Sequence, residues 1–305
     1  MKKIVGIGDT DIDLYVKVPK IAGNDEKVLG ELLGEFPGGM IGNFCSAVAK
    51  FGHRNVEIIS ALGKDYYGMM ALEAFHMLGV GLEGLQILED SRTYFCIVYI
   101  DPSGEKSLTI VPTEAMYPRP SLINKTLLLD ADYVHTIGGN EKLLQYICEN
   151  KSKKSILSID LETTMLEQFM RNENLIHEVD ILFTNKQTIE TIIPDSSIED
   201  GLKKLAQRGF GTIVLTAGRD GSVVYREKTK TFYHQHAFTV KPVDTTGAGD
   251  CYSAIFLSCL ANGDSIQVAM QYASAGAAIS IQSVGARTGL PSRKEIDYFL
   301  ATYKG

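Results

Sequence analysis

No two cysteines in this chain stand at metal-binding spacing. The five, Cys45, Cys96, Cys148, Cys251 and Cys259, are scattered without a Cys-x-x-Cys pair, which argues against a disulfide framework or a zinc site. They read as core thiols in a reducing, cytoplasmic setting. Basic clusters are also missing. The longest is "NKSKK" at 150–154 and the formal charge is −7, so a general nucleic-acid binder is not expected. No apolar run approaches the roughly 20 residues that cross a bilayer, and "MKKIVGIGDTDID" reaches glycine and aspartate too early for a signal peptide. What is present is ordinary for a soluble protein: 305 residues, 45% hydrophobic and 22% charged, enough to bury a sizeable core.

Short apolar runs alternate with helical patterns. "KIVGIG" (3–8) and "VEIISALG" (56–63) read as strands, residues 41–51 and 65–79 as helices, and "DYVHTIG", "SILSID", "VDILFT" and "TIVLTAG" as further strands. This is the rhythm of an α/β protein with a doubly wound, mostly parallel sheet covered by helices on both faces. Two segments, 13–37 and 92–112, break it and read as antiparallel strands of a small separate sheet, with "DPSG" (101–104) as a hairpin turn. A buried place in the main sheet is the other reading of 92–112. Both faces of "TYFCIVYI" are apolar, so a partner subunit could cover one of them. The C-terminal third reads as helices over 249–261, from 265 to about 283 and from 292, with Gly263 at a C-cap and Asp264 or Ser265 at an N-cap.

The stretch "VDTTGAGDCYSAIFLSCL" (243–260) follows a β-rich run, "HAFTV", and enters an apolar helix. A strand-to-helix loop of small residues gathers free N–H groups and the positive end of the helix dipole, which suits an anion such as phosphate. A carboxylate there, Asp250, is expected to be held ionised, ready to take a proton from a hydroxyl. Elsewhere, "FPGGMIGN" places Gly38 and Gly39 before a helix with Asn43 on its first turn, which fits a loop around a polyhydroxylated ligand. "GIGDTDID" (6–13) puts Asp11 where a dinucleotide fingerprint needs glycine, and Asp9, Asp11 and Asp13 would repel a pyrophosphate. That weighs against a dehydrogenase. "VLTAGRDGSVVY" (214–225) reads as strand, glycine turn and strand, and "YASAGAAISIQSVGARTGLP" as a small-residue helix followed by Gly285-Ala286 and Pro291.

With these motifs the chain resembles the PfkB, or ribokinase-like, family of carbohydrate and nucleoside kinases over nearly its whole length. "DTTGAGD" before an apolar helix is the most specific mark. The resemblance implies a single domain over 1–305 with a small β-sheet lid, and transfer of the ATP γ-phosphoryl group to a hydroxyl of a sugar-like small molecule. It implies Asp250 as base and the amides of Gly247, Ala248 and Gly249 as an anion hole. Asp13, Gly38, Gly39 and Asn43 would hold substrate hydroxyls. Asn185, Thr216, Gly218 and Gly221 would meet the nucleotide, and Ala275 and Ala278 would flank the adenine. ATP and Mg²⁺ are the implied cofactors. Asp244 and Thr246, with the backbone near Ala286, resemble the family's monovalent-cation site, which would take K⁺. A homodimer through the lid is also expected.

One departure stands out. The family's Asn-x-x-Glu becomes "NKQT", with Asn185 present, Thr188 where the acid belongs, and Glu190 two residues late and turned away on a helix. A non-catalytic sugar or nucleotide sensor on the same scaffold is therefore an alternative, as is a nucleoside kinase. A phosphosugar acceptor would need cations near Asn43, and Lys27 and Arg92 are the local candidates.

Overall fold

The computed structural model describes residues 1–102, 106–171, 173–194 and 196–303. Ser103 and Gly104 of the expected DPSG turn lie outside them. Strands β1 (Ile4–Ile7), β2 (Asp11–Lys17) and β3 (Glu31–Gly38) precede helix α1 (Met40–Phe51), β4 (Val56–Gly63), α2 (Tyr66–Leu78) and β5 (Gly81–Leu88). Next come β6 (Phe95–Ile100), β7 (Lys106–Val111), α3 (Lys125–Leu129), β8 (Tyr133–Ile137), α4 (Glu141–Asn150) and β9 (Ile156–Leu161). Then follow α5 (Thr163–Met170), α6 (Glu173–Ile176), β10 (Ile181–Asn185), α7 (Lys186–Ile192), α8 (Ile198–Ala206) and β11 (Thr212–Thr216). The chain closes with β12 (Ser222–Arg226), β13 (Thr231–Gln235), α9 (Ala248–Ala261), α10 (Ile266–Ser280) and α11 (Arg293–Thr302).

The main sheet runs β13-β12-β11-β10-β9-β8-β1-β4-β5. From β11 to β5 every pairing is parallel, and only β12 and β13 are antiparallel. Its strands read as unbroken apolar runs because both faces are covered. Neighbouring residues serve opposite cores: Ile4, Ile58, Tyr133 and Ile181 pack with α1, α9 and α10. Val5, Ile59, Val134 and Leu182 pack with α3, α4 and α8.

The second sheet, β3-β2-β6-β7, holds both interrupting segments. Residues 92–112 are thus not in the main sheet, and β2 runs parallel to β6 rather than antiparallel. Two strand expectations are corrected. Residues 27–30 precede β3, which begins at Glu31. "HAFTV" is not a strand: its Phe238 packs edge-on against Phe299 and Tyr303 of the C-terminal segment, and Thr239 N donates to the Tyr303 hydroxyl at 2.7 Å. Those contacts, and not a ladder, fix the segment. Helix α10 stops at Ser280, three residues short of the expected end, and Ser265 is its N-cap, accepting from Val268 N.

Candidate active site

The carboxyl ends of β8 to β11 and the loop before α9 enclose a cavity of about 450 Å³. Ligands of open parallel sheets gather at this end. Asp9, just past β1, accepts from Met40 N (3.1 Å) and Ile41 N (3.2 Å). It thereby caps α1, whose own N-cap, Gly39, has no side chain to offer. Gly39 has φ +82°, and a Cβ there would lie 2.6 Å from Thr10 Cα, so the chain can pass the Thr10 backbone only as glycine. Asp11 and Asp13 project from one face of β2. Gly38, the β3 partner of Asp11, leaves them room, since a Cβ there would stand 2.6 Å from Asp13 Oδ2. Cys96 Sγ donates to Asp11 Oδ2 at 3.2 Å, while Asp11 Oδ1 is buried without a hydrogen-bond partner. Burial pushes the Asp13 carboxyl up to about 6 against the pull of Arg287.

Asp250 sits on the first turn of α9, buried, and accepts from Asn43 Nδ2 at 2.9 Å. Asn43 Oδ1 in turn accepts from Arg287 Nε at 2.9 Å, and the same guanidinium donates to the Gly38 carbonyl and covers the Phe75 ring. A buried chain Arg287–Asn43–Asp250 results. The expectation that loop amides hold Asp250 ionised is corrected. Its side-chain partner is Asn43, and burial pushes the carboxyl well above its usual value, Asn43 opposing and Asp160, Glu162 and Asp9 adding to the rise.

The loop ahead of Asp250 turns at Gly247, φ +75°, whose Cβ would meet Ala286 Cβ at 2.7 Å. A Cβ on Gly249 would meet nothing within 4 Å, which marks its open side, while Ala248 N is already directed to Thr245 O at 3.2 Å. Gly247, Ala248 and Gly249 all line the cavity, and the first-turn amides of α9 have no partner within their own helix. Upstream, both oxygens of Asp244 are engaged. Oδ1 accepts from Lys106 Nζ and from Thr246 N (2.9 Å), and Oδ2 from Tyr15 OH (2.8 Å) and Gly285 N (2.8 Å). Burial opposes ionisation here, but the Lys106 ammonium and these amides overcome it and hold the Asp244 carboxyl well below the usual range.

On the far side, Asn185 and Thr216 line the cavity. Asn185 is the N-cap of α7: its Oδ1 accepts from Thr188 N (2.9 Å) and Thr188 Oγ1 (3.0 Å). Thr188 itself is buried against Thr163, and Glu190 is exposed. The acids on this side come instead from β9 and the residue after it, Asp160 and Glu162. Burial, with Glu162 beside it, pushes Asp160 up to about 8. Gly218 and Gly221 form the positive-φ turn that follows Thr216 without lining the cavity. Ala275 is fully buried in the core packed by α9 and α10, and Ala278 is nearly so. Neither lines the cavity, and the adenine-flanking role expected of them is not supported by their position.

A family model described as pfkB family carbohydrate kinase matches residues 1–293. The chain belongs to this family. It is 26% identical to the ribokinase of Lactococcus lactis, over 97% of this chain and 96% of that protein. It is 24% identical to the nucleoside kinase of Methanothermobacter thermautotrophicus, over 96% and 94%. The crystal structure of Thermotoga maritima ribokinase superposes with a TM-score of 0.88 at 25% identity, covering 99% of this chain and all of that one.

Within this pfkB family kinase, the structure joins Asp9, Asp13, Gly39, Asn43, Asn185, Thr216, Thr246 and the 247–250 turn around one cavity. Sequence reasoning missed Arg287, Lys106, Tyr15, Asp160 and Glu162. Arg287 lies in "GARTG", directly after the recognised Gly285-Ala286, and that adjacency was the one available signal. Lys27 and Arg92 are exposed and do not line the cavity.

Proposed function

We propose that this kinase transfers the γ-phosphoryl group of ATP to a hydroxyl of an uncharged, ribose-like sugar. The observation that carries the reading is the Asn43–Asp250 hydrogen bond. It joins the helix that opens at the paired glycines, on the acceptor side, to the carboxylate at the mouth of the 247–249 turn. In this reading Asp13, Gly38, Gly39 and Asn43 hold the acceptor and Asp250 takes its hydroxyl proton. Of the 247–249 amides, those of Gly247 and Gly249 meet the charge that develops on the transferred group, and that of Ala248 joins them only by leaving Thr245 O. The nucleotide lies along Asn185, Thr216 and the 218–221 turn. Asp9, Asp11 and Asp13 line the acceptor end, and Lys106 is engaged by Asp244; Arg287 donates to Asn43 and Gly38 through Nε and Nη2, while its Nη1 is buried without a hydrogen-bond partner. A phosphate or carboxylate on the acceptor would meet repulsion there.

Asp160 and Glu162 fit a hard dication, being adjacent carboxylates that face the cavity, one with its ionisation strongly suppressed. They would hold Mg²⁺ in place of the acid that Thr188 replaces, and bound Mg²⁺ neutralises phosphate charge. A nucleoside acceptor is the second reading, favoured by the apolar wall of Tyr94, Leu108, Ile110 and Met116, on which a base could pack. The small sheet acts as a lid, and its exposed Leu32 and Leu33 are where a second copy would dock, which light scattering tests. No helix among the described residues is long and apolar enough to cross a membrane, and the five free cysteines suit a cytoplasmic setting.

The decisive experiment is ADP release with Mg-ATP over free sugars, sugar acids, phosphosugars and nucleosides, with Asp250→Asn beside the wild type. We expect turnover on a neutral sugar and a loss of about 10²–10⁴ in kcat in the variant. Wild-type turnover by Asp250→Asn removes Asp250 as the base, and preference for a phosphosugar or sugar acid removes the neutral-acceptor reading.

A further inference from the structure

Asp244 opens the loop that ends at Asp250, and the family resemblance implies a monovalent metal ion held there with Thr246. The side chains present do not fit a resident ion. Lys106, the first residue of β7, places its ammonium on Asp244 Oδ1, 3.4 Å from Thr246 Oγ1 and 5.5 Å from the Tyr15 ring centroid. The second carboxylate oxygen is taken by Tyr15 OH and Gly285 N. Thr246 Oγ1 stands 3.2 Å from the Tyr15 hydroxyl, whose single proton goes to Asp244 Oδ2, and the Asp244 side chain is only 2% exposed. An alkali ion would need several oxygens turned toward it. Here the oxygens are committed to donors, one of which already carries a single positive charge.

We propose that the Lys106 ammonium takes the place of the monovalent cation, so that this kinase positions its 245–249 turn without K⁺. Lys106 is a positioning residue in this scheme, and the proposal rests on the kinase reading above. A tethered ammonium differs from a free ion in two ways. It neutralises Asp244 at any salt composition. It also arrives on a strand of the small sheet, through the ladder β2-β6-β7, so the charge beside the turn is present when that sheet stands over the cavity. Tyr15 of β2 bonds the same carboxylate, which gives the sheet two attachments to one acid.

The test compares wild type, Lys106→Met and Lys106→Arg at constant ionic strength, with tetramethylammonium replaced stepwise by K⁺. Both turnover and melting temperature are followed. For the wild type we expect both readouts to stay flat. For Lys106→Met we expect turnover to fall by about tenfold or more without K⁺. It should recover in part as K⁺ or NH₄⁺ is added, with a K⁺-dependent rise in melting temperature, while Lys106→Arg keeps cation-independent turnover. Activation of the wild type by K⁺ overturns the proposal, as does a Lys106→Met loss that no cation restores. Should no acceptor be phosphorylated, the kinase reading fails. The melting series still decides whether K⁺ binds only once Lys106 is removed.

Discussion

Asn43 has one amide to offer and uses both ends of it, donating to Asp250 and accepting from Arg287. That makes it the residue through which a buried cation acts on the candidate base. Removing it in Asn43→Ala leaves Arg287 Nε and Asp250 Oδ2 without their partner, at a cost of about 1–3 kcal/mol. A base works only when deprotonated, so activity rises with pH through the folded-state value of Asp250. That value is already raised by burial, and Asn43 is what lowers it. We therefore expect Asn43→Ala to melt at lower temperature and to move the acidic limb of its kcat/KM profile to higher pH, measured against wild type. An unmoved limb would show that the hydrogen bond does not tune the base. Asp250, the glycine pair and Asn43 were legible in the sequence because each lies inside a compact motif. Arg287 and Lys106 were not, because they reach their partners from 244 and 138 residues away along the chain. A long cationic side chain in an ordinary-looking segment carries no local sign of where its head group will land.

Helix α1 shows how an element is aimed. Its N-terminus is fixed by Asp9 from outside and by the positive-φ Gly39, and these set the direction in which Asn43 points. In Gly39→Ala the new Cβ would press on the Thr10 backbone, and the left-handed conformation would be strained as well. We expect a loss of roughly 1–3 kcal/mol in urea unfolding together with a raised acceptor KM, because the helix start must shift before the alanine fits. Unchanged KM at reduced stability would place the acceptor elsewhere. Most elements could be read from the sequence, since strands buried on both faces are continuous apolar runs and helix ends carry caps such as Ser265 and Gly52. One exception has a visible cause. "HAFTV" has strand composition but is held by Phe299 and Tyr303, so tertiary contact overrode local propensity.

Over the whole molecule, the two interrupting segments could be read as a small separate sheet, but the parallel pairing of β2 with β6 inside it depends on contacts that no local pattern encodes. The same holds for charge. The sequence shows acids in dispersed segments, and only the fold brings Asp9, Asp11, Asp13, Asp160, Glu162 and Asp250 to one cavity. That convergence has a consequence for stability. Burial raises Asp160 from 3.8 to about 8, and Asp11 and Asp250 shift the same way, so these groups bind protons more tightly folded than unfolded. Such a contribution is full below the unfolded value and is lost as pH rises through the folded one. His135, lowered to about 3 by burial, and His53, also lowered, act in the opposite sense, but only where an unfolded histidine would be protonated, below about 6.5. Between pH 6.5 and 8.5 the carboxyls therefore dominate, and each proton released contributes at most about 1.4 kcal/mol per pH unit. We expect the melting temperature of the ligand-free kinase to fall across that interval, and Asp160→Asn, which cannot ionise, to fall less steeply. A melting temperature that is flat or rises from pH 6.5 to 8.5, or a slope that Asp160→Asn leaves unchanged, would mean that water or a bound cation already relieves the crowding of acids in the cavity.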